Sequence, residues 1–292
     1  MTDLAALTDL DAPIIEALAE RAIALEAAWR ARDVPQTLVG ARIGSIAELP
    51  GWRNPTALAL GMAAMGGACV TVTARLEGAE SVEDLAGYMD NWFDLLAVRT
   101  PDLARLRRFA DALRAPVMNL RTNANHPCEV LGDLAFALRE RGSWDGLRVA
   151  MVGPAGNIAR SWAEAASVLP IEVVHVRPPT HAFGPDDPGG AIEGTDDIGA
   201  IESANLIVTD CWPPGASATD APAFARHRIT ADRLARCRPD VLFVPCPPVT
   251  RGEEVSDDAI EHPRCLATPA KAFLMHAQNA FVERALARTP ER

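Results

Sequence analysis

The sequence predicts an α/β protein of two tandem domains, each with a central parallel sheet flanked by helices. Three observations carry that expectation. At 292 residues the chain is too long for one small core, and two domains of ordinary size are its natural division. Apolar residues make up 49% of it, enough to pack both. Apolar β-branched runs alternate along it with segments of helical periodicity, which is the βαβ pattern of a parallel sheet.

The first series of predicted strands is TLVGARI (37–43), ACVTVTA (68–74), LLAVR (95–99) and PVMNLRT (116–122), with helices between. A helix holding LGDLAFALRER (131–141) ends at Gly142 and is expected to form the hinge, so the first domain spans 1–141. The second series falls within 142–268: LRVAMVG (147–153), IEVVHVRP (171–178), NLIVTD (205–210) and VLFVPCP (241–247). Between its members the Pro-, Gly- and Asp-rich tract 178–199 reads as a long surface loop. Helices at 12–32 and 269–287 open and close the set.

Charge narrows the partners. Lys and Arg number 28 against 39 Asp and Glu, a net charge of −11 that repels a phosphate backbone and sets nucleic acid aside. The opening MTDLAALTDLDAP has no basic n-region, and no run approaches the ~20 apolar residues that cross a bilayer. The expectation is a soluble, cytoplasmic protein with no membrane partner. Six cysteines (69, 128, 211, 237, 246, 265) show no CxxC pairing and six histidines show no ligand spacing, so no disulfide framework, metal or other cofactor is expected. Most of the cysteines read as buried small hydrophobes.

Several stretches carry chemistry. In GWRNPTALALGMAAMGG (51–67), Asn54 suits an N-cap and Pro55 the first helical turn, placing a helix N-terminus and its free N–H groups immediately after Arg53. That combination can hold an anion, or be no more than a capped helix beside a solvated arginine. Arg99 ends the strand LLAVR, where ligands of open α/β sheets bind, although a structural salt bridge serves equally well. His126 stands between a strand end and a helix start; alone it reads as a helix-entry residue, but with Arg53 and Arg99 it completes an electropositive crevice. VGPAGNIARSW (152–162) departs from G-x-G-x-x-G, which weakens a dinucleotide reading and leaves Asn157 as a polar ligand contact. Asp210 in TDCWPPG and Cys246 in VPCPPVTRGEEV each follow an apolar strand and are expected to face an interdomain cleft. No histidine lies near Cys246 in sequence, so it reads as a packing or ligand-lining thiol rather than a nucleophile.

Taken in order, these stretches resemble the aspartate/ornithine carbamoyltransferase family across nearly the whole chain, closer to the ornithine branch. The resemblance rests on His126-Pro127 followed by LGDL, VGPAGNIARSW, Asp210 with Trp212, Cys246-Pro247-Pro248 with RGEEVSD, and His276-Ala277-Gln278. It implies a carbamoyl-phosphate domain to which the helix 269–287 returns, followed by an amino-acid domain, in a homotrimer or a multiple of trimers. It also implies the chemistry. An amine attacks the carbamoyl carbon, an oxyanion forms, and phosphate leaves. On this reading Trp52, Arg53, Asn54, Arg99, His126 and Glu129 bind carbamoyl phosphate, with His126, Arg53 and Asn54 catalytic. Asn157, Asp210, Cys246 and Pro247 position the amine.

The departures shape the functional expectation. The family's Ser-Thr-Arg-Thr-Arg falls on Gly51, Trp52, Arg53, Asn54 and Pro55, and the glutamine after His-Pro is Glu129. The loop that brings a basic residue across the trimer is LEGAESVED (76–84), with Glu80, Ser81 and Asp84 kept and no Lys or Arg. The histidine of His-Cys-Leu-Pro is Pro245, Ser-Met-Gly becomes PPG (213–215), and the arginine two residues before His276 is Leu274. The resemblance therefore implies carbamoyl transfer to an amino acid or related amine other than ornithine or aspartate. Its alternative is a pseudoenzyme kept as a small-molecule binder or assembly protein.

Overall fold

The computed structural model describes residues 3–213 and 221–287. The chain forms two compact units, one running up to Arg139 and resuming at Ala272, the other Glu140–Lys271.

In the first unit, α1 (Ala12–Ala31) precedes β1 (Arg42–Ala47), α2 (Arg53–Ala64), β2 (Ala68–Val72), α3 (Val82–Met89), β3 (Leu95–Arg99), α4 (Leu103–Ala112), β4 (Val117–Arg121) and α5 (Pro127–Arg141). All four strands are parallel in the order β2-β1-β3-β4. Side chains alternate across β3: Leu96 and Val98 meet Leu85, Met89, Leu106 and Phe109, which lie on the apolar faces of α3 and α4. Local chemistry starts the helices, with Asp11, Ser81 and Asp102 each accepting a first-turn N–H of α1, α3 and α4. The Ser81 side chain takes the Asp84 N–H, so retention of that pair has a local capping reason.

In the second unit come β5 (Arg148–Val152), α6 (Asn157–Val168), β6 (Glu172–Val176), β7 (Glu193–Thr195), β8 (Leu206–Thr209), α7 (Ala221–Ala225), α8 (Ala231–Arg236), β9 (Leu242–Pro245), α9 (Asp257–Ile260) and α10 (Ala267–Lys271). Its five parallel strands run β7-β6-β5-β8-β9. Ala150, Val152, Val174, Val176, Ile207 and Phe243 cover one face of that sheet and pack on Ile201, Leu234 and Ala259.

The last helix, α11 (Phe273–Leu286), packs back on the first unit. Two glycines permit its approach. A Cβ on Gly132 of α5 would lie 3.1–3.3 Å from the Phe273 and Leu274 backbone, and one on Gly61 of α2 would lie 2.0 Å from Asn279 Oδ1. Arg139 spreads over the Phe136 and Phe273 rings, and Arg21 donates to Glu283 at 2.7 Å.

Three expected elements shift. Residues 37–40 form a turn with Gly40 at φ +82°, and the strand begins at Arg42; a β-branched pair does not outweigh that glycine. The tract 178–199 holds 3₁₀ turns and the edge strand β7, whose backbone pairs with β6 although EGT carries no apolar pattern. The closing helix is two helices, α10 and α11, separated at Ala272, a break that continuous periodicity conceals. Three cysteines are buried and three half-buried, all as free thiols.

Candidate active site

The loop entering α5 is built by a buried polar network. The Ala124 and Asn125 N–H groups donate to Thr122 Oγ1, and the Thr122 N–H donates to the Asn125 carbonyl at 2.8 Å. Asn125 Nδ2 donates to the Ala5 carbonyl at 2.9 Å, while its Oδ1 accepts from Asn119 Nδ2 at 2.8 Å. These bonds fix His126 at the end of the turn. Its carbonyl accepts from the Glu129 N–H, and its ring is buried at the carboxyl end of β4.

Asn54 meets that ring. The structure corrects its expected role as an N-cap: α2 begins at Arg53 after Trp52, whose side chain makes no capping bond, and Asn54 is buried within the first turn. Gln278 Nε2, from α11, donates to Asn54 Oδ1 at 2.9 Å, and Asn54 Nδ2 lies 3.4 Å from His126 Nε2. The carboxylate of Glu129, one turn along α5, lies 3.7 Å from the same His126 nitrogen. His126 is thus flanked by an amide that suits its neutral form and a carboxylate that suits its cation.

The two arginines occupy different settings. Arg53 lies with its guanidinium carbon 5.3 Å from the centroid of exposed Trp52, at a helix N-terminus without a side-chain cap. Arg99 is buried, with Nη2 donating to the Pro50 carbonyl at 2.6 Å and Nε lying 3.2 Å from it. Burial first, then Arg121 at its register partner on β4, pull the Arg99 guanidinium down to about 10 against the pull of Glu129. Gly51 makes this possible: at φ +139° its absent Cβ would sit 2.7 Å from Arg99 Nη2.

In the second unit, Asn157 opens α6, and Asp210 follows β8 with its Oδ2 3.4 Å from where a Cβ of Gly156 would stand. Cys246 is buried, with its N–H on the Thr209 carbonyl, and the Pro247–Pro248 bond is cis. Trp212 stacks on Phe224 at 5.6 Å. Burial, then Asp210 and Glu254, push the neighbouring Cys211 thiol up to about 12, which keeps it protonated and unreactive at neutral pH. Among the described residues no group of three or more His, Cys, Asp or Glu could hold a metal, and no helix is long and apolar enough to cross a membrane.

Residues 2–139 match the family model described as the aspartate/ornithine carbamoyltransferase carbamoyl-P binding domain, and residues 145–284 match that of its Asp/Orn binding domain. The chain belongs to the aspartate/ornithine carbamoyltransferase family. Ornithine carbamoyltransferase of Paracidovorax citrulli is 33% identical over 279 residues, 91% of this chain and 90% of that one. The crystal structure of ornithine carbamoyltransferase from Burkholderia thailandensis superposes with a TM-score of 0.90 at 27% identity, covering 98% of this chain and 99% of that one. The Pyrococcus furiosus ornithine carbamoyltransferase does so at 0.89 and 26%, with 96% of each chain covered.

Within the first unit of this carbamoyltransferase-family chain, Asn54, His126 and Glu129 come together, while Trp52 and Arg53 share an exposed edge. Leu274 is buried where the resemblance places an arginine. Of PPG (213–215), residues 214–215 lie outside the described residues. Sequence reasoning gave no site role to Arg121 or to Gln278, although Gln278 stands in one of the motifs of the resemblance. Arg121 ends an apolar strand just as Arg99 does, so the same argument finds it; Gln278 is signalled only by its place after His276.

Proposed function

We propose that this protein transfers a carbamoyl group from carbamoyl phosphate to the amine of an amino acid or related amine other than ornithine or aspartate. The observation that carries it is the buried Gln278–Asn54–His126 chain beside the uncapped N-terminus of α2. Such a constellation suits a reaction whose charge develops on a carbamoyl oxygen and leaves on phosphate. Arg53 and the first-turn N–H groups of α2 face the dianion, with Arg99 and Arg121 adding positive potential at the strand ends. Its family's phosphate-binding domain supports this assignment.

His126 polarises the carbamoyl oxygen in this scheme. Asn54, whose carboxamide is held by Gln278, presents N–H to the imidazole and to the space beside it, standing in for the arginine that Leu274 replaces. Asn157, Asp210 and the Cys246–Pro247 backbone position the attacking amine. The acceptor differs from ornithine because Pro213-Pro214-Gly215 offers no hydroxyl or thioether where Ser-Met-Gly is expected.

A second reading, a pseudoenzyme retained for binding or assembly, is favoured by Glu129, whose carboxylate sits against His126 where the family has a neutral amide. Assembly as a trimer in the cytoplasm belongs to either reading. Among the described residues every exposed large hydrophobic side chain, Trp29 through Trp92, lies in the first unit, which supports association through that unit. Phosphate release from carbamoyl phosphate across a panel of amines separates the two. Amine-dependent release with an acceptor preferred over ornithine is expected, and no release with any member would favour the pseudoenzyme.

A further inference from the structure

A second charged feature lies in the other unit and does not depend on the functional proposal above. Where β6 ends, the tract 183–194 folds over a cavity of about 160 Å³ lined by His175, Arg177, Phe183, Gly189, Gly190 and Gly194. At ~30 Å³ per water it has room for roughly five waters, or for one small polyatomic ion with a water or two.

Arg177 supplies its charge. The Nε atom is closed to solvent and has no hydrogen-bond partner, and among the described residues no carboxylate lies within ion-pair distance of the guanidinium. Two of the carboxylates that flank the tract in sequence are committed to other arginines. Asp187 accepts from Arg160 at 3.3 Å, and Asp196 accepts from Arg226 at 2.6 Å. A guanidinium donor shielded from water and left unpaired is costly, and an oxyanion relieves that cost.

The walls are shaped around the guanidinium. A Cβ on Gly194 would lie 2.6 Å from Arg177 Nη2, and one on Gly189 would lie 2.6 Å from the Phe183 ring, so side chains at either position would intrude. His175 Nε2 makes a 2.9 Å bond to the Gly153 carbonyl, so the imidazole is committed to the adjacent turn and the positive charge at the cavity is that of Arg177. The same turn is tied to the 3₁₀ turn Pro179–His181 that follows β6 by the Ala155 N–H on the His181 carbonyl at 3.0 Å.

We propose that this cavity binds a small tetrahedral oxyanion, phosphate or the phosphate group of a small ester, through the guanidinium of Arg177. Occupancy would brace the 153–157 turn and the tract above it against each other. The site lies in the second unit and is distinct from the carbamoyl phosphate residues of the first.

The test is titration calorimetry of the full chain with inorganic phosphate and, separately, with glycerol phosphate, in an Arg53→Met background that removes a principal phosphate contact of the first unit. One phosphate per chain is expected to remain bound. Adding Arg177→Met should weaken it at least about tenfold, the loss of a charge-assisted hydrogen bond. Gly194→Ala, at an ordinary φ on an edge strand, should do the same by displacing the guanidinium, and it decides the matter if the arginine variant does not fold. A free-phosphate site binds the inorganic ion and rejects the ester; an ester site takes both. Loss of all binding in Arg53→Met alone, or unchanged affinity in folded Arg177→Met or Gly194→Ala, would overturn the proposal.

Discussion

Gln278 Nε2 donates to Asn54 Oδ1 at 2.9 Å, joining the C-terminal helix to the first turn of α2 and turning the Asn54 amide toward His126. Both side chains are buried, so the bond decides which end of the amide the imidazole meets. Gln278→Leu should leave Asn54 Oδ1 without its donor and cost about 1–3 kcal/mol in chemical denaturation. It should also lower amine-dependent turnover more than it raises the KM for carbamoyl phosphate. Stability within 0.5 kcal/mol of wild type, a figure of about the usual surface effect, would show that the bond does not hold the amide.

The resemblance sets Gly51 against a serine, and the geometry at this position disfavours one. Restoring the hydroxyl with Gly51→Ser puts a Cβ 2.7 Å from Arg99 Nη2 at a φ of +139°. We expect a loss of about 1–3 kcal/mol from backbone strain and weaker phosphate binding as Arg99 leaves the Pro50 carbonyl. Tighter phosphate binding in the serine variant would contradict this, since it would mean the family residue fits unaided.

Two helical glycines should respond in opposite directions. Gly87→Ala in α3 meets nothing within 4 Å and should stabilise by about 0.5–1 kcal/mol through helix propensity. Gly61→Ala in α2 drives a Cβ to 2.0 Å from Asn279 Oδ1, and overpacking of about 1–3 kcal/mol outweighs the same gain. Equilibrium urea unfolding of the two variants checks both signs.

Acid should weaken the fold through two buried histidines. Burial and Arg177 hold His175 down at about 4 despite its bond to the Gly153 carbonyl, and burial with Arg30 holds His276 at about 4. Between pH 6.5 and 4 the unfolded chain therefore binds protons that the native one refuses. Their contribution is fully present above pH 6.5, falls as pH drops toward 4, and levels off below it, on the order of 3 kcal/mol per histidine at most. Unfolding free energies measured from pH 7.5 to 4 should show that slope, and His175→Gln and His276→Gln should each flatten it.

The strands were legible as apolar, β-branched runs of parallel sheets: LLAVR maps onto β3 without a residue's error, and seven of the eight predicted runs contain their strand within a residue or two of each end. TLVGARI misled because Gly40 turns the chain before the ladder starts, and β7 was invisible because Glu193–Thr195 joins by backbone pairing at an edge. At the site, His126 could be found from its place between strand and helix. Asn54 could be found but not its direction, because a short polar residue near a helix start reads as a cap unless its distant partner is known. Gln278 lies 224 residues from Asn54, and only the return of α11 brings them together. Arg177 is the penultimate residue of IEVVHVRP, and nothing in that run shows that Asp187 and Asp196 pair with other arginines.

In the proposed reaction His126 works on the carbamoyl group while arginines hold the phosphate. Its most direct measurement is phosphate release from carbamoyl phosphate with the best amine of the panel, in wild type and His126→Ala, alongside calorimetric binding of phosphate to each. Amine-dependent release should disappear in the variant while phosphate affinity changes by less than about threefold, well short of the loss of one charge-assisted hydrogen bond. Turnover in His126→Ala within about tenfold of wild type, less than the 10²–10³ expected for an oxyanion donor, would contradict it.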